Sequence, residues 1–379
     1  MAGAAPASMM VPAPGMGAPV AAGPGARVLS PAGSAIPSSG SMGSVGASPS
    51  GAGSAGAVLV PASTVASCGA SSRGPTESAE LAAAKALALK LRRDCDGARY
   101  PCIEWAVGIF RSDANGGSEF VVTSNEGFGY VPWGVFLPRS ARLMASDKLV
   151  DRDFRDRWFG CDDPAQVMVE YAKLRAERGS HLVALGVTTQ SAFARAPGVE
   201  CGVSAPRNLD EQCRTPVLDD LHAHRLELLH PDLFTRVQRL APTEYQTRAL
   251  ANQTCVPLAV QMIDAVKTST VVQTPPELRQ MWDALGTGDD ISDDAWQQYL
   301  LASMVVFVNL SASRPSLDAS AAERENYHAQ WVAARAMEFL RGWQRNPADV
   351  ADMIYASAVA YSGDFAVKFE PLLRVVEDG

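Results

Sequence analysis

Apolar positions along Ser78 to Arg93 (Leu81, Ala84, Leu87, Ala88 and Leu91) fall on one stripe of a helical period, which predicts a helix with a single buried face. Asp94 to Pro101 breaks that pattern. The continuous apolar run Ile103 to Phe110 predicts a buried strand and Phe120 to Ser124 a second. Between them Asp113, Ala114, Asn115, Gly116 and Gly117 form a hairpin signal, because Asn and Gly accept the backbone angles of a tight turn. Asn125 to Pro138 carries Gly and Pro among Phe128, Tyr130, Val131, Trp133, Val135 and Phe136. It predicts a loop leading into a short edge strand, since Pro cannot donate to an interior ladder. Asp163, Pro164 and Gln166 give an N-cap, a Pro at the first helical position and a capping-box residue, opening a helix that ends near Gly179. Leu182 to Val187 is a further short strand.

From about Pro206 the period changes to helix. Start signals stand at Thr215-Pro216, at the Thr243 to Gln246 box, at Thr274-Pro275-Pro276-Glu277, at Ser320 to Glu323 and at Asn346-Pro347. Ser292 to Ser311 carries Trp296, Leu300, Met304, Phe307 and Val308, a width that predicts a central bundle helix. The apolar run Leu300 to Val308 within it is too short for a membrane span and is expected to be buried.

Composition changes the picture at the N-terminus. Residues 1 to about 75 are almost entirely Ala, Gly, Pro, Ser, Met and Val, with Arg27 and Arg73 the only charged side chains and no aromatic before Tyr100. Such a stretch cannot bury enough apolar area to offset its chain entropy, so it is expected to be a disordered spacer. The fold class expected is therefore α+β: a disordered tail over 1–76, a small α/β domain over 77–200 with a short mixed or antiparallel sheet, and an all-α helical domain over 206–379. The net charge of -8 and the lack of a basic stripe argue against a nucleic-acid partner. No charged and apolar leader precedes Arg27, and the expected location is cytoplasmic without membrane insertion. The 7 cysteines are scattered with no Cys-x-x-Cys pair, the usage of reduced thiols, although a Cys201–Cys213 bridge would close a small loop.

Candidate chemistry is sparse. His222, His224 and His230 lie near Asp219 and Asp220, but His222 and His224 would sit roughly 200° apart on a helix, so a polar helix face explains them better than a metal. Cys161, before Asp162-Asp163 and upstream of His181, could be a nucleophile at a helix start, but two carboxylates oppose its thiolate. Pro101-Cys102-Ile103-Glu104 lacks the second cysteine and the upstream His-x-Glu of a zinc deaminase. Asn125-Glu126-Gly127-Phe128-Gly129 lacks the Lys-Ser/Thr of a phosphate loop. No cofactor and no metal are expected. The most unusual feature is the loop from Thr123 to Pro138, with Asn125, Glu126, Tyr130, Trp133 and the adjoining Arg139 as candidate binding residues. Aromatics on a rigid loop suit a partner, and they equally suit a loop folded over its own sheet.

Glu104-Trp105-Ala106-Val107-Gly108, Val121 to Gly127 and Gly129-Tyr130-Val131-Pro132-Trp133-Gly134-Val135-Phe136-Leu137-Pro138 carry a resemblance. Together with the low-complexity stretch ahead of them they resemble the C-terminal region of uncharacterised actinobacterial, mainly mycobacterial, proteins linked to type VII (ESX) secretion. The resemblance covers roughly residues 77–379. It implies an accessory or chaperone-like protein without catalysis, whose partner is a type VII secretion substrate or a component of the machinery. It supplies no catalytic residues. Trp158-Phe159-Gly160 and Tyr100-Pro101-Cys102-Ile103-Glu104 stand in the wrong order for the export signal of the secreted substrates. Two other readings stay open: an enzyme or toxin-like α/β domain with an unrecognised active site, and an envelope-associated structural protein tethered by the tail.

Overall fold

Ser78 accepts a hydrogen bond from the Leu81 amide and starts α1 (Ala79–Gly97), which buries Leu81, Ala84, Ala88 and Leu91. In this computed structural model, residues 77–114, 116–190, 196–204, 218–288, 290–361 and 365–377 are described. The expectations for the tail over 1–76, for Thr215-Pro216 and for a bridge to Cys213 fall outside them. The stripe continues one turn beyond Arg93, burying Asp94 and Cys95, so the break expected at Asp94 comes instead at Ala98.

The sheet follows from alternation. Strands β1 (Trp105–Ser112) and β2 (Ser118–Ser124) pair antiparallel with Trp105 opposite Ser124. Next come β3 (Leu137–Pro138), β4 (Ala141–Leu143), α2 (Arg152–Trp158), α3 (Pro164–Ala176), β5 (Ser180–Val187) and β6 (Glu200–Val203). The five-stranded order is β4-β2-β1-β5-β6, with antiparallel β2-β1 and β1-β5 pairs and parallel pairs at both edges. Trp105, Val107 and Ile109 face one cluster, which includes α1; Ala106 and Phe110 face the other, which includes Met168 and Tyr171 of α3. Val183 is an extra residue in β5 between the partners of Ile109 and Phe110, a bulge that interrupts the alternation. Asp163 caps α3 as the sequence predicts, accepting from the Ala165 and Gln166 amides.

The remainder is mostly helical: β7 (His222–Ala223), α4 (Arg225–Leu229), α5 (Pro231–Leu240), α6 (Glu244–Leu250), α7 (Val256–Lys267), α8 (Pro276–Thr287), α9 (Asp293–Ala312), α10 (Ala321–Arg341), α11 (Val350–Tyr361) and α12 (Phe365–Glu377). A π-helical turn over Ala251–Cys255 joins α6 to α7. The expected caps at Thr243 and Ser320 are present, the latter as a full capping box with Glu323, and Ser292, where the helical period was expected to begin, caps α9. At Thr274 the structure differs, because Pro275 is the cap of α8 and no side chain closes it. The edge strand expected before Pro138 is β3, but it pairs with β7 in a separate two-stranded sheet, an element the helical reading after Pro206 had no place for.

The central helix is α10, not α9. Trp331 and Tyr327 of α10 are almost wholly buried, as is every residue from Ala333 to Leu340. By contrast α9 buries Trp296, Tyr299, Phe307 and Leu310 and leaves Leu301, Val305 and Val308 in solvent. A stripe of large apolar residues is wide enough to be buried on all sides only if neighbours cover it, and α9 has cover on one side. One hydrophobic cluster runs from Leu81 of α1 through the sheet to Leu373 of α12, so the α/β and helical layers meet across a shared core within the unit Ser71–Gly379.

Candidate functional site

The loop after β2 lies between the sheet and α10. Two close approaches put it there. Gly127 has φ of +56°, and the Trp331 ring covers its Cα where a side chain would project; Gly160 has φ of +71° and meets the Tyr327 ring in the same way. Both sites need the conformational freedom and the missing Cβ of glycine. The Gly160 amide donates to the Gly127 carbonyl at 2.5 Å, tying the end of α2 to the loop.

Polar groups carried inward with the loop find partners there. Glu126, with no exposed surface, accepts from Tyr327 Oη at 2.7 Å and from Arg314 Nη2 at 2.5 Å, while the Gly127 amide donates to Tyr327 Oη at 2.8 Å. Asn125 Oδ1 accepts from the Glu104 amide at 2.9 Å. The Val131 amide donates to Tyr355 Oη at 2.9 Å, and Tyr130 Oη donates to Glu338 Oε2 at 2.6 Å. Burial of unpaired groups would cost several kcal/mol in total, about 1–3 for each, so this pairing is what allows a loop to occupy an interior.

Behind Tyr130 stands a buried ionic lattice. Glu338 pairs with both Arg225 and Arg335, and Arg225 Nε donates to Asp352 Oδ1 at 2.6 Å while His224 Nε2 lies 3.1 Å from the same oxygen. Burial alone would raise the Glu338 pKa, but the two guanidiniums outweigh it and hold the carboxyl below its ordinary value. Asp352 is held low in the same way by Arg225 and His224 against its own desolvation. Trp133 lies between the Arg225 and Arg341 guanidiniums, 5.4 and 5.1 Å from its ring centre, and Arg335 stacks over Tyr130 at 3.8 Å.

Next to this lattice opens a cavity of about 640 Å3. Tyr100, Trp133, Phe136 and Phe307 give it apolar walls, and Arg335, Glu338, Arg341, Asp349 and Asp352 give it a charged one. Burial raises the Asp349 pKa, only partly offset by Arg345 at 3.3 Å.

Of the residues singled out in the sequence, the structure brings Trp133 to the cavity and buries Asn125, Glu126 and Tyr130, of which Tyr130 joins the lattice through Glu338. Arg139 stands apart on the surface, paired with Glu227 and donating through Nε to the Asp220 carbonyl at 3.1 Å. The helical reading of the histidines is corrected: His222 lies in β7, His224 caps α4 through Nδ1, and His230 separates α4 from α5. Among the described residues no group of His, Cys, Asp and Glu is placed to hold a metal. Burial raises the Cys161 thiol to about 11, and His181 faces Asp113 at 3.0 Å. Arg225, Arg335, Glu338 and Asp352 had not been singled out. Their signal was Arg335 and Glu338 within Trp331 to Leu340, a charged pair three residues apart in an otherwise apolar helical run.

The family model of the EspK C-terminal domain matches residues 93–299, more than half of the 379 residues. The matched span holds the loop and Arg225 and stops within α9, so the α10 and α11 members of the lattice lie beyond it. No curated protein matches the chain. Among the described residues, no helix is long and apolar enough to cross a membrane.

Proposed function

We propose that this chain, which belongs to the EspK C-terminal domain family and is thereby associated with type VII secretion, works as a non-enzymatic, chaperone-like binding factor in the cytoplasm. Its partner is a secretion substrate or a component of the secretion machinery, docked as an amphipathic helix along α9. The observation that carries the reading is the outer face of α9, where Leu301, Met304, Val305 and Val308 are exposed at 62%, 36%, 61% and 51%. Their spacing of three and four residues makes one continuous stripe, the pattern with which a helix receives another helix. An apolar stripe of this kind, left uncovered by the described residues, marks an interaction surface. Of the residues the sequence had singled out, Asn125, Glu126 and Tyr130 serve by holding the loop in place, and Trp133 by lining the cavity.

The cavity favours a second reading, an enzyme, because it gathers ionisable side chains with displaced pKa values. Against it, Glu338 and Asp352 are locked in ion pairs, leaving Asp349 as the one lining carboxyl tilted toward its protonated form. Co-purification of the tagged full chain from an actinobacterial lysate, beside the Leu301→Glu/Val305→Glu variant, separates the two. Near-stoichiometric recovery of a type VII substrate or machinery protein, lost in the variant, supports docking on α9. Recovery of no such protein, or equal recovery by the variant, overturns it.

A further inference from the structure

The cavity beside Trp133 holds cations that its own carboxylates leave unmet. Glu338 is shared between Arg225 and Arg335, Asp352 between Arg225 and His224, and Asp349 faces Arg345. Arg341 lines the cavity and touches the Trp133 ring, and among the described residues it has no carboxylate partner. Arg335 lies deeper. It is 1% exposed, it lines the cavity, and its Nε and Nη1 make no hydrogen bond, even though Nη1 lies 2.5 Å from Glu338 Oε2. That contact is an ion pair without a directed hydrogen bond. Both Nε and Nη1 are sealed from the cavity, so Arg335 adds its charge to the wall and no hydrogen-bonding edge. Asp349 Oδ2 also lacks a hydrogen bond, and its charge is directed at Arg345, 3.3 Å away.

We propose that this cavity binds a small carboxylic acid with an apolar body, an aryl- or medium-chain alkyl-carboxylate. Its carboxylate lies against Arg341, with the Arg335 charge behind it, and its body fills the space between Tyr100, Phe136, Met304 and Phe307, all of them lining residues. A planar carboxylate matches the guanidinium fork in two parallel hydrogen bonds. The neighbouring Glu338 charge disfavours a dianion. A volume of about 640 Å3 is that of a small-molecule pocket. This site is independent of docking on α9, although Met304 belongs to both.

Calorimetric titration of the purified full chain tests it, with no partner protein present. The probes are phenylbutyrate and decanoate, their neutral amides, phenylbutylamine, and an apolar peptide with a free C-terminus. The acids are expected to bind and the amides to bind at least about tenfold more weakly, a difference of roughly 1.4 kcal/mol. Arg341→Gln is expected to weaken the acids about tenfold while leaving the weak amide affinity in place, and Met304→Trp, which fills the cavity, to abolish both. Arg341 is half-buried at the rim and Met304 partly exposed, so both variants are tested with the melting temperature as a check on folding. Equal binding of acid and amide, failure of any acid to bind at millimolar concentration, tighter binding of the amine, or binding of the peptide alone would each overturn the proposal.

Discussion

The loop from Asn125 to Val135 and the outer face of α9 invert what their compositions suggest. The loop is irregular, rich in Gly and Pro, and carries a carboxylate, yet Glu126, Tyr130 and Val131 are among the least exposed residues in the structure. The α9 face is regular and apolar, yet Leu301 and Val305 are more than half exposed. What separates them is partnership. The loop is covered by α10, whose Tyr327, Arg335 and Glu338 answer its polar groups and charges; the outer face of α9 has no helix across it among the described residues. Burial therefore followed the supply of complementary groups from distant sequence, and hydrophobicity was the weaker guide.

The largest effect is expected where that supply is cut. Glu338→Ala leaves Arg225 and Arg335 buried without their shared carboxylate and takes the acceptor from Tyr130. Breaking a buried pair from one side costs about 3–5 kcal/mol, because the surviving charge stays desolvated. Denaturant unfolding of the full chain should show the loss as a lower midpoint. A change within about 0.5 kcal/mol would mean that the lattice is a surface feature and that the comparison with α9 fails.

Next in size is the fit between loop and helix. Gly127→Ala and Gly160→Ala each place a Cβ at positive φ against an α10 ring, Trp331 or Tyr327. Overpacking together with left-handed strain should cost roughly 2–4 kcal/mol at either site. Gly288, also left-handed with φ of +72° but with open space around it, supplies the control. Its alanine variant should lose only the smaller conformational part, about 1–2 kcal/mol. Equal losses at all three sites in thermal melts would assign the whole effect to the backbone and none to packing.

Acid should act on the lattice and spare α9, which presents no charge on its exposed stripe. Glu338 and Asp352 have folded pKa values below their unfolded ones. Their contribution is complete above the unfolded values of about 4.3 and 3.9 and is lost as pH falls through the folded values. Asp349, raised by burial, has the opposite sign and slightly offsets the loss. Stability measured from pH 7 downward should fall below about pH 4 in the natural chain. Asp352→Asn should start lower and fall less steeply, and an unchanged slope would remove Asp352 from the lattice.

The parts of the fold written in local pattern were legible in the chain. Capping residues at Asp163, Thr243 and Ser320 and the β1-β2 pair needed only neighbours a few residues away. What was not legible depends on residues about 200 apart in sequence, such as Tyr327 with Glu126 and Tyr355 with Val131. No period announces which far helix will answer a loop carboxylate. The small β3-β7 ladder was hidden for the same reason, since two residues on each side carry no alternation. The loop was visible as unusual, and Trp133 does reach the cavity, but the cations of that cavity come from α10, where only a charged pair in an apolar run marked them.

The smallest effect on stability is expected on α9, and its smallness is the point. Leu301 and Val305 already meet water, so exchanging both for Glu removes little buried area and should change stability by no more than about 0.5 kcal/mol per site. The same exchange sets two carboxylates in the middle of the stripe, and a partner helix could close over them only by desolvating unpaired charge. Partner recovery should therefore collapse while the unfolding midpoint stays in place. A residue buried for the fold cannot give that separation, because Glu338→Ala would lower both together. If the α9 variant also melts early, its face is covered by the chain itself, and the contrast between an answered loop and an unanswered helix disappears.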